Sequence, residues 1–104
     1  MFEMKSPKRP LISLYKGILS LTSEEEATRF FRDLLTKEEI AEFTSRWQVA
    51  QLLDQGISYV AIQAETGLSS TTIARISRWL REGKNGYRLV LDRLHSHTTP
   101  SREK

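Results

Sequence analysis

Between residues 69 and 78 the chain sets the hydroxyls of Ser69, Ser70, Thr71 and Thr72 ahead of two guanidinium groups, Arg75 and Arg78. Thr71, Arg75 and Arg78 recur at the spacing of one helix face. Hydroxyls both donate and accept hydrogen bonds. A guanidinium fork donates to paired acceptors, such as phosphate oxygens or a flat base edge. A set of this kind recognises a partner and neither makes nor breaks bonds. Lys84 adds a further cation just beyond it. Taken alone, the same residues read as solvated surface charge and ordinary helix-start hydroxyls, so their setting has to decide.

Other chemistry finds little support. The chain has no cysteine, which excludes disulfides, zinc ribbons and thiol catalysis. His95 and His97 form an H-x-H pair with no cysteine or carboxylate fixed beside it, a poor metal site. The acids Glu24, Glu25 and Glu26 mark a helix start rather than an acid/base pair. Neither a nucleophile with its base nor a phosphate-cradling loop is present. The expectation is a protein that is not an enzyme and carries no cofactor or metal.

The hydroxyls and arginines must be held by residues 59–80, which read as two short helices broken at Gly67, Leu68 and Ser69. That is the grammar of a helix-turn-helix, whose second helix lies in the DNA major groove. Ser58 caps the first helix, and Ile62 points inward. Gly67 sits at the tight turn, where positive φ is cheap only for glycine. Leu68 tucks under, and Ser69 or Ser70 caps the second helix. Ile73, Ile76 and Leu80 fall on one face of that helix. Thr71, Ala74, Arg75 and Arg78 fall on the other, which suits a helix pushed end-first into a groove.

The remaining residues read as more helices. Residues 1–10 hold Lys5, Lys8, Arg9, Pro7 and Pro10 and are expected to form a flexible basic arm. Residues 11–21 make a helix that is apolar over much of its circumference. Ser23 and Glu26 form a capping box, followed by Ala27, Phe30, Phe31, Leu34 and Leu35 at helical spacing. Thr36 and Glu39 repeat the box. The helix they start carries Ile40, Phe43, Trp47, Val49, Ala50, Leu52 and Leu53 on more than one stripe, which leaves a face for a partner. Gly56 is the expected left-handed cap. Residues 83–86 read as a turn, residues 87–94 as the last helix, and residues 95–104 as a disordered tail. No segment suggests a strand, so the expected fold class is all-α, with one domain over residues 11–94 and the helix-turn-helix at about 59–81.

Charge follows the same layout. The net charge is +3, but acids dominate residues 22–45 while bases gather at the two ends and beyond the turn. A nucleic-acid footprint would place them so. No apolar run is long enough to span a bilayer and none resembles a signal peptide. The expected location is therefore the cytoplasm, with no membrane partner.

From residue 30 to 94 the sequence resembles the Trp repressor family, and more closely its Trp repressor-related branch (the YerC/YecD type). The matching stretches are FFRDLLTKEEI, the helix around Arg46, AETGLSSTTIARI and NGYRLVLDRL. The resemblance implies an intertwined all-helical homodimer. Two recognition helices would then meet successive major grooves of double-stranded DNA at a palindromic operator. It also implies a relic ligand pocket. Thr36 matches a position that lines the L-tryptophan site of the repressor proper, and Arg46 and Arg75 match the two arginines that hold the ligand. Ile76 stands where the repressor has a glycine that makes room for the indole, and Trp79 where it has a serine that binds the amino group. One residue is also missing after Gly56. Tryptophan is therefore not expected to bind. Arg46 reads instead as an ion-pair partner within the dimer, and Tyr59, Trp47 and Tyr87 as core or interface.

The leading expectation is a dimeric, sequence-specific transcriptional regulator that represses by occluding a promoter. It would use Ser69, Ser70, Thr71, Thr72, Arg75, Arg78 and Lys84 on DNA. The alternative is a helical protein–protein interaction module with a vestigial helix-turn-helix. The DNA-binding part of a transposase-like enzyme ranks last, for lack of room and of clustered carboxylates.

Overall fold

The computed structural model describes residues 8–98, with side chains as far as His95. Among the described residues the chain is six α-helices and no strand. They are α1 (Lys8–Leu19), α2 (Glu24–Leu34), α3 (Lys37–Asp54), α4 (Tyr59–Thr66), α5 (Ser70–Glu82) and α6 (Gly86–Thr98). Two expected boundaries move. The arm at residues 1–10 gives way to helix from Lys8, because Pro10 falls in the first turn of α1, where a missing N–H costs nothing. The tail at residues 95–104 gives way to helix as far as Thr98. The rest of both segments, including Lys5, lies outside the described residues.

The described residues divide into two compact units at Ile40 and Ala41. In the first, α1 and α2 meet where Gly17 faces the Phe30 ring; a Cβ on Gly17 would lie 3.9 Å from Phe30 Cζ. Phe30 and Phe31 pack edge to face, with ring centroids 5.3 Å apart. Neither α1 nor α2 holds a fully buried residue. Leu19 is 82% exposed, and Leu11, Ile12 and Tyr15 are about half exposed. The apolar circumference expected for residues 11–21 therefore stays largely uncovered within one chain.

Local hydrogen bonds set the helix starts. Thr36 Oγ1 accepts the Glu39 N–H at 3.0 Å while Glu39 Oε1 accepts the Thr36 N–H at 2.9 Å, a complete capping box. The box expected at Ser23 is different. Ser23 Oγ accepts the Glu26 N–H, but Glu26 Oε1 reaches one residue further, to the N–H and hydroxyl of Thr22. Those two bonds, the backbone one first, hold the Glu26 carboxyl below the usual carboxylate range. A carboxyl depressed on folding stabilises the structure above its unfolded-state pKa, and that contribution fades as pH falls through the folded value. The protection factor of the Thr22 amide, followed by NMR hydrogen exchange, is therefore expected to drop on acidification. It should drop before that of Thr72, whose amide is capped by a serine that does not titrate there.

The second unit holds the core. Val49 and Ala50 of α3, Ile62 of α4, and Ile73 and Ile76 of α5 are buried together, with Trp47, Leu52, Leu53, Leu68 and Tyr87 packed around them. Leu91 of α6 is buried as well. Trp47 stacks on Tyr87, centroids 6.3 Å apart. Tyr59, by contrast, is 40% exposed. Arg88 of α6 ties back to Asp54 at the end of α3 with an N–O distance of 2.9 Å, and His95 Nδ1 lies 4.0 Å from the same carboxylate.

Candidate nucleic-acid interface

Three residues, Gly67, Leu68 and Ser69, separate α4 from α5. Gly67 has φ +75° and its N–H donates to the Gln63 carbonyl, so the left-handed cap falls at the expected residue. Thr66 braces the turn as well. Its hydroxyl donates to the Ile62 carbonyl at 2.8 Å and accepts the Leu68 N–H at 3.2 Å. A threonine ahead of a capping glycine is the sequence signal for this brace. Ser58 caps α4 by accepting the Ala61 N–H.

Ser69, not Ser70, caps α5. Its Oγ accepts the Thr72 N–H at 3.2 Å and lies 3.1 Å from Thr72 Oγ1. Ser69 and Thr72 thus spend their hydroxyls on each other and on the helix start. Ser70 and Thr71 are exposed, and their side chains have no hydrogen-bond partner among the described residues. The free hydroxyls at the tip of α5 are therefore these two.

The rotation of α5 is set by burial. Ile73 and Ile76 are 0% and 1% exposed, which turns Thr71, Ala74, Arg75 and Arg78 outward. The two arginines differ. Arg75 has no ion-pair partner among the described residues, whereas Arg78 Nε lies 3.7 Å from Glu82 Oε1. Glu82 also lies 3.7 Å from Arg81. This acid stands one turn beyond Arg78, at the i, i+4 spacing of an ion-pair partner.

After α5 the chain turns through Gly83, Lys84 and Asn85. Positive φ falls on Asn85, at 68°, and on neither flanking glycine. Gly83 is needed for a different reason. A Cβ there would meet the Trp79 carbonyl oxygen at 2.5 Å; the Gly83 N–H donates to the same carbonyl at 2.9 Å. Lys84 is exposed at the rim of an open, mainly apolar groove of about 860 Å³ whose lining includes Trp47, Trp79, Glu82, Tyr87 and Val90. Burial raises the Tyr87 hydroxyl pKa, opposed in part by the Arg46 charge.

The Thr36 hydroxyl is used on Glu39. Arg46 pairs with Glu42, one turn earlier on its own helix, so its ion pair is internal to α3. Arg75 is open to solvent, Ile76 is buried in the core, and Trp79 lines the groove.

A family model described as "Trp repressor protein" matches residues 10–95. The chain belongs to the Trp repressor family. It is 42% identical over 96 residues to the uncharacterised protein YerC of Bacillus subtilis (strain 168), with 92% of each chain covered. A crystal structure of a TrpR-like protein from Eubacterium eligens superimposes with a TM-score of 0.80 at 38% identity, covering 86% of this chain and 91% of that one. A candidate Trp repressor from Staphylococcus aureus gives a TM-score of 0.79 at 39% identity, covering 88% and 95%. The all-helical fold is thus that of Trp repressor-like proteins, a family of DNA-binding regulators. Among the described residues, no helix of this family member is long and apolar enough to cross a membrane.

Proposed function

We propose that the chain is a sequence-specific DNA-binding regulator of transcription, a repressor, acting as a homodimer through α4 and α5 as a helix-turn-helix. The observation that carries this reading is the setting of α5. Its buried isoleucines turn Arg75 and Arg78 outward behind the free hydroxyls of Ser70 and Thr71, in a member of a DNA-regulator family. A recognition helix meets base edges from its N-terminus onward, which would bring Ser70 and Thr71 first and Arg75 and Arg78 behind them along the groove. Lys84 adds salt-dependent affinity without reading sequence.

The uncovered apolar face of α1, with the exposed Leu34 of α2, supports the dimer. Large apolar patches on a small chain need cover, and a second copy supplies it. The test is selection of genomic fragments by the purified protein, followed by footprinting. The expected result is a protected two-fold symmetric site. Retention of no fragment over random duplex at physiological salt would overturn the reading in favour of an interaction module.

L-tryptophan is not the corepressor in this proposal. Ile76 fills core space with a side chain where the repressor proper keeps a glycine, and Trp79 cannot accept a hydrogen bond as a serine can. Isothermal titration with L-tryptophan is expected to give no heat of binding, and footprints should be the same with and without it. Micromolar binding would sink this part of the proposal while leaving the DNA-binding part standing.

A further inference from the structure

The outward row of α5 ends on an acid. From Thr71, the positions Arg75, Arg78 and Glu82 follow at four-, three- and four-residue steps. At about 100° per residue all four fall in one sector, opposite Ile73, Ile76 and Leu80. The Glu82 carboxylate lies 3.7 Å from Arg78 and 3.7 Å from Arg81, so one acid is shared by two arginines. Its position gives the fold little. The Arg78 and Glu82 side chains are 74% and 60% exposed, and pairs of that kind contribute little to stability. Glu82 is also the last residue of α5, where a negative charge opposes the helix dipole.

We propose that Glu82 is a specificity-determining residue of the DNA face: it repels the phosphate backbone and holds Arg78 for neutral base edges. This rests on the DNA-binding reading of α5. A phosphate brought to Arg78 places an anion beside the Glu82 carboxylate. A base edge is uncharged and meets no such repulsion. The nearest approach of Glu82 is to Nε of Arg78, which leaves the terminal Nη groups to reach paired acceptors on a base. An interaction that penalises the wrong ligand more than the right one creates specificity without adding affinity.

The test compares wild type with Glu82→Gln, which keeps the side chain's size and removes its charge. Binding is measured on a random-sequence duplex and on the strongest genomic fragment that wild type selects, across a range of salt. The random duplex is expected to bind roughly three- to tenfold tighter to E82Q, with a log–log salt slope steeper by about one per engaged subunit. The genomic fragment should gain less, so the ratio between the two falls. An unchanged ratio, or no gain on the random duplex, overturns the proposal while selective binding by wild type still upholds the DNA-binding reading. If wild type selects no fragment at all, that reading falls and the role of Glu82 falls with it. Melting curves of the two proteins check that the variant is folded.

Discussion

Ile73→Ala is expected to remove about 2–5 kcal/mol of folding stability, the range for emptying a buried isoleucine site. Ile73 is wholly buried where α3, α4 and α5 meet, among Val49, Ala50, Ile62 and Ile76. Few residues share that work. Among the described residues the buried apolar set is these five and Leu91. A small domain has only about 5–15 kcal/mol to lose, so the variant should be near the edge of folding at body temperature. The consequence reaches function as well, because Ile73 fixes the rotation of α5 and hence which side chains face outward. Urea denaturation at matched protein concentration measures the effect. Val60→Ala is the control: Val60 is 76% exposed, and its truncation should move stability by no more than about 0.5 kcal/mol. Equal midpoints for the two variants would mean that the core has been misplaced.

Arg75→Ala should weaken binding to a selected genomic fragment more than Arg78→Ala does. Both arginines stand on the outward row of α5, but Arg75 has no carboxylate partner among the described residues, while Arg78 is already drawn to Glu82. The full charge of Arg75 is available to DNA. Loss of one guanidinium contact to a base edge costs about 1–3 kcal/mol, roughly 5- to 150-fold in affinity, and a symmetric dimer makes the contact twice. Lys84→Ala provides the contrast. A phosphate-contacting cation should lower the salt slope by about one and weaken all sequences alike. Titrations at several fixed salt concentrations separate these outcomes. The proposed docking is wrong if Arg75→Ala binds the fragment as tightly as wild type at physiological salt.

Much of the fold was legible because its helix boundaries are local. Ser58 and Ser69 each accept an N–H three residues ahead, Thr36 and Glu39 exchange two bonds, and Gly56 and Gly67 take positive φ. Every partner lies within about four residues, so residue types at fixed offsets are enough to find them. The same holds for the outward row of α5, which is a matter of helical period. The one-residue shift at Thr22 and Glu26 was less legible, since a glutamate side chain can reach either of two adjacent amides. The helical stretches from Lys8 and up to Thr98 are not legible from residue types alone, because proline and polar residues suit helix ends as well as loops.

The relic pocket shows the opposite limit. Residue types identified Thr36, Arg46, Arg75, Ile76 and Trp79 by resemblance, but not what each side chain does. Arg46 turns to Glu42 on its own helix, Ile76 goes fully into the core, and Trp79 stays on the wall of an open groove with Trp47 and Tyr87.

Residue types and their spacing are enough for an all-helical chain, a capped α4 and α5 with a glycine turn between them, and an α5 with isoleucines on one side and arginines on the other. Which apolar residues of α3 are buried depends on packing, since Ile40, Phe43, Trp47, Val49, Ala50, Leu52 and Leu53 surround much of that helix and burial selects Val49 and Ala50. Only the tertiary structure decided that Gly83 must lack a side chain, that Asp54 receives Arg88, and that Trp47 stacks on Tyr87. The physical reason is one of range. Caps and helix faces are set by hydrogen bonds and periodicity within a turn or two of chain. Burial and long-range pairing depend on which distant residues the packed helices bring together.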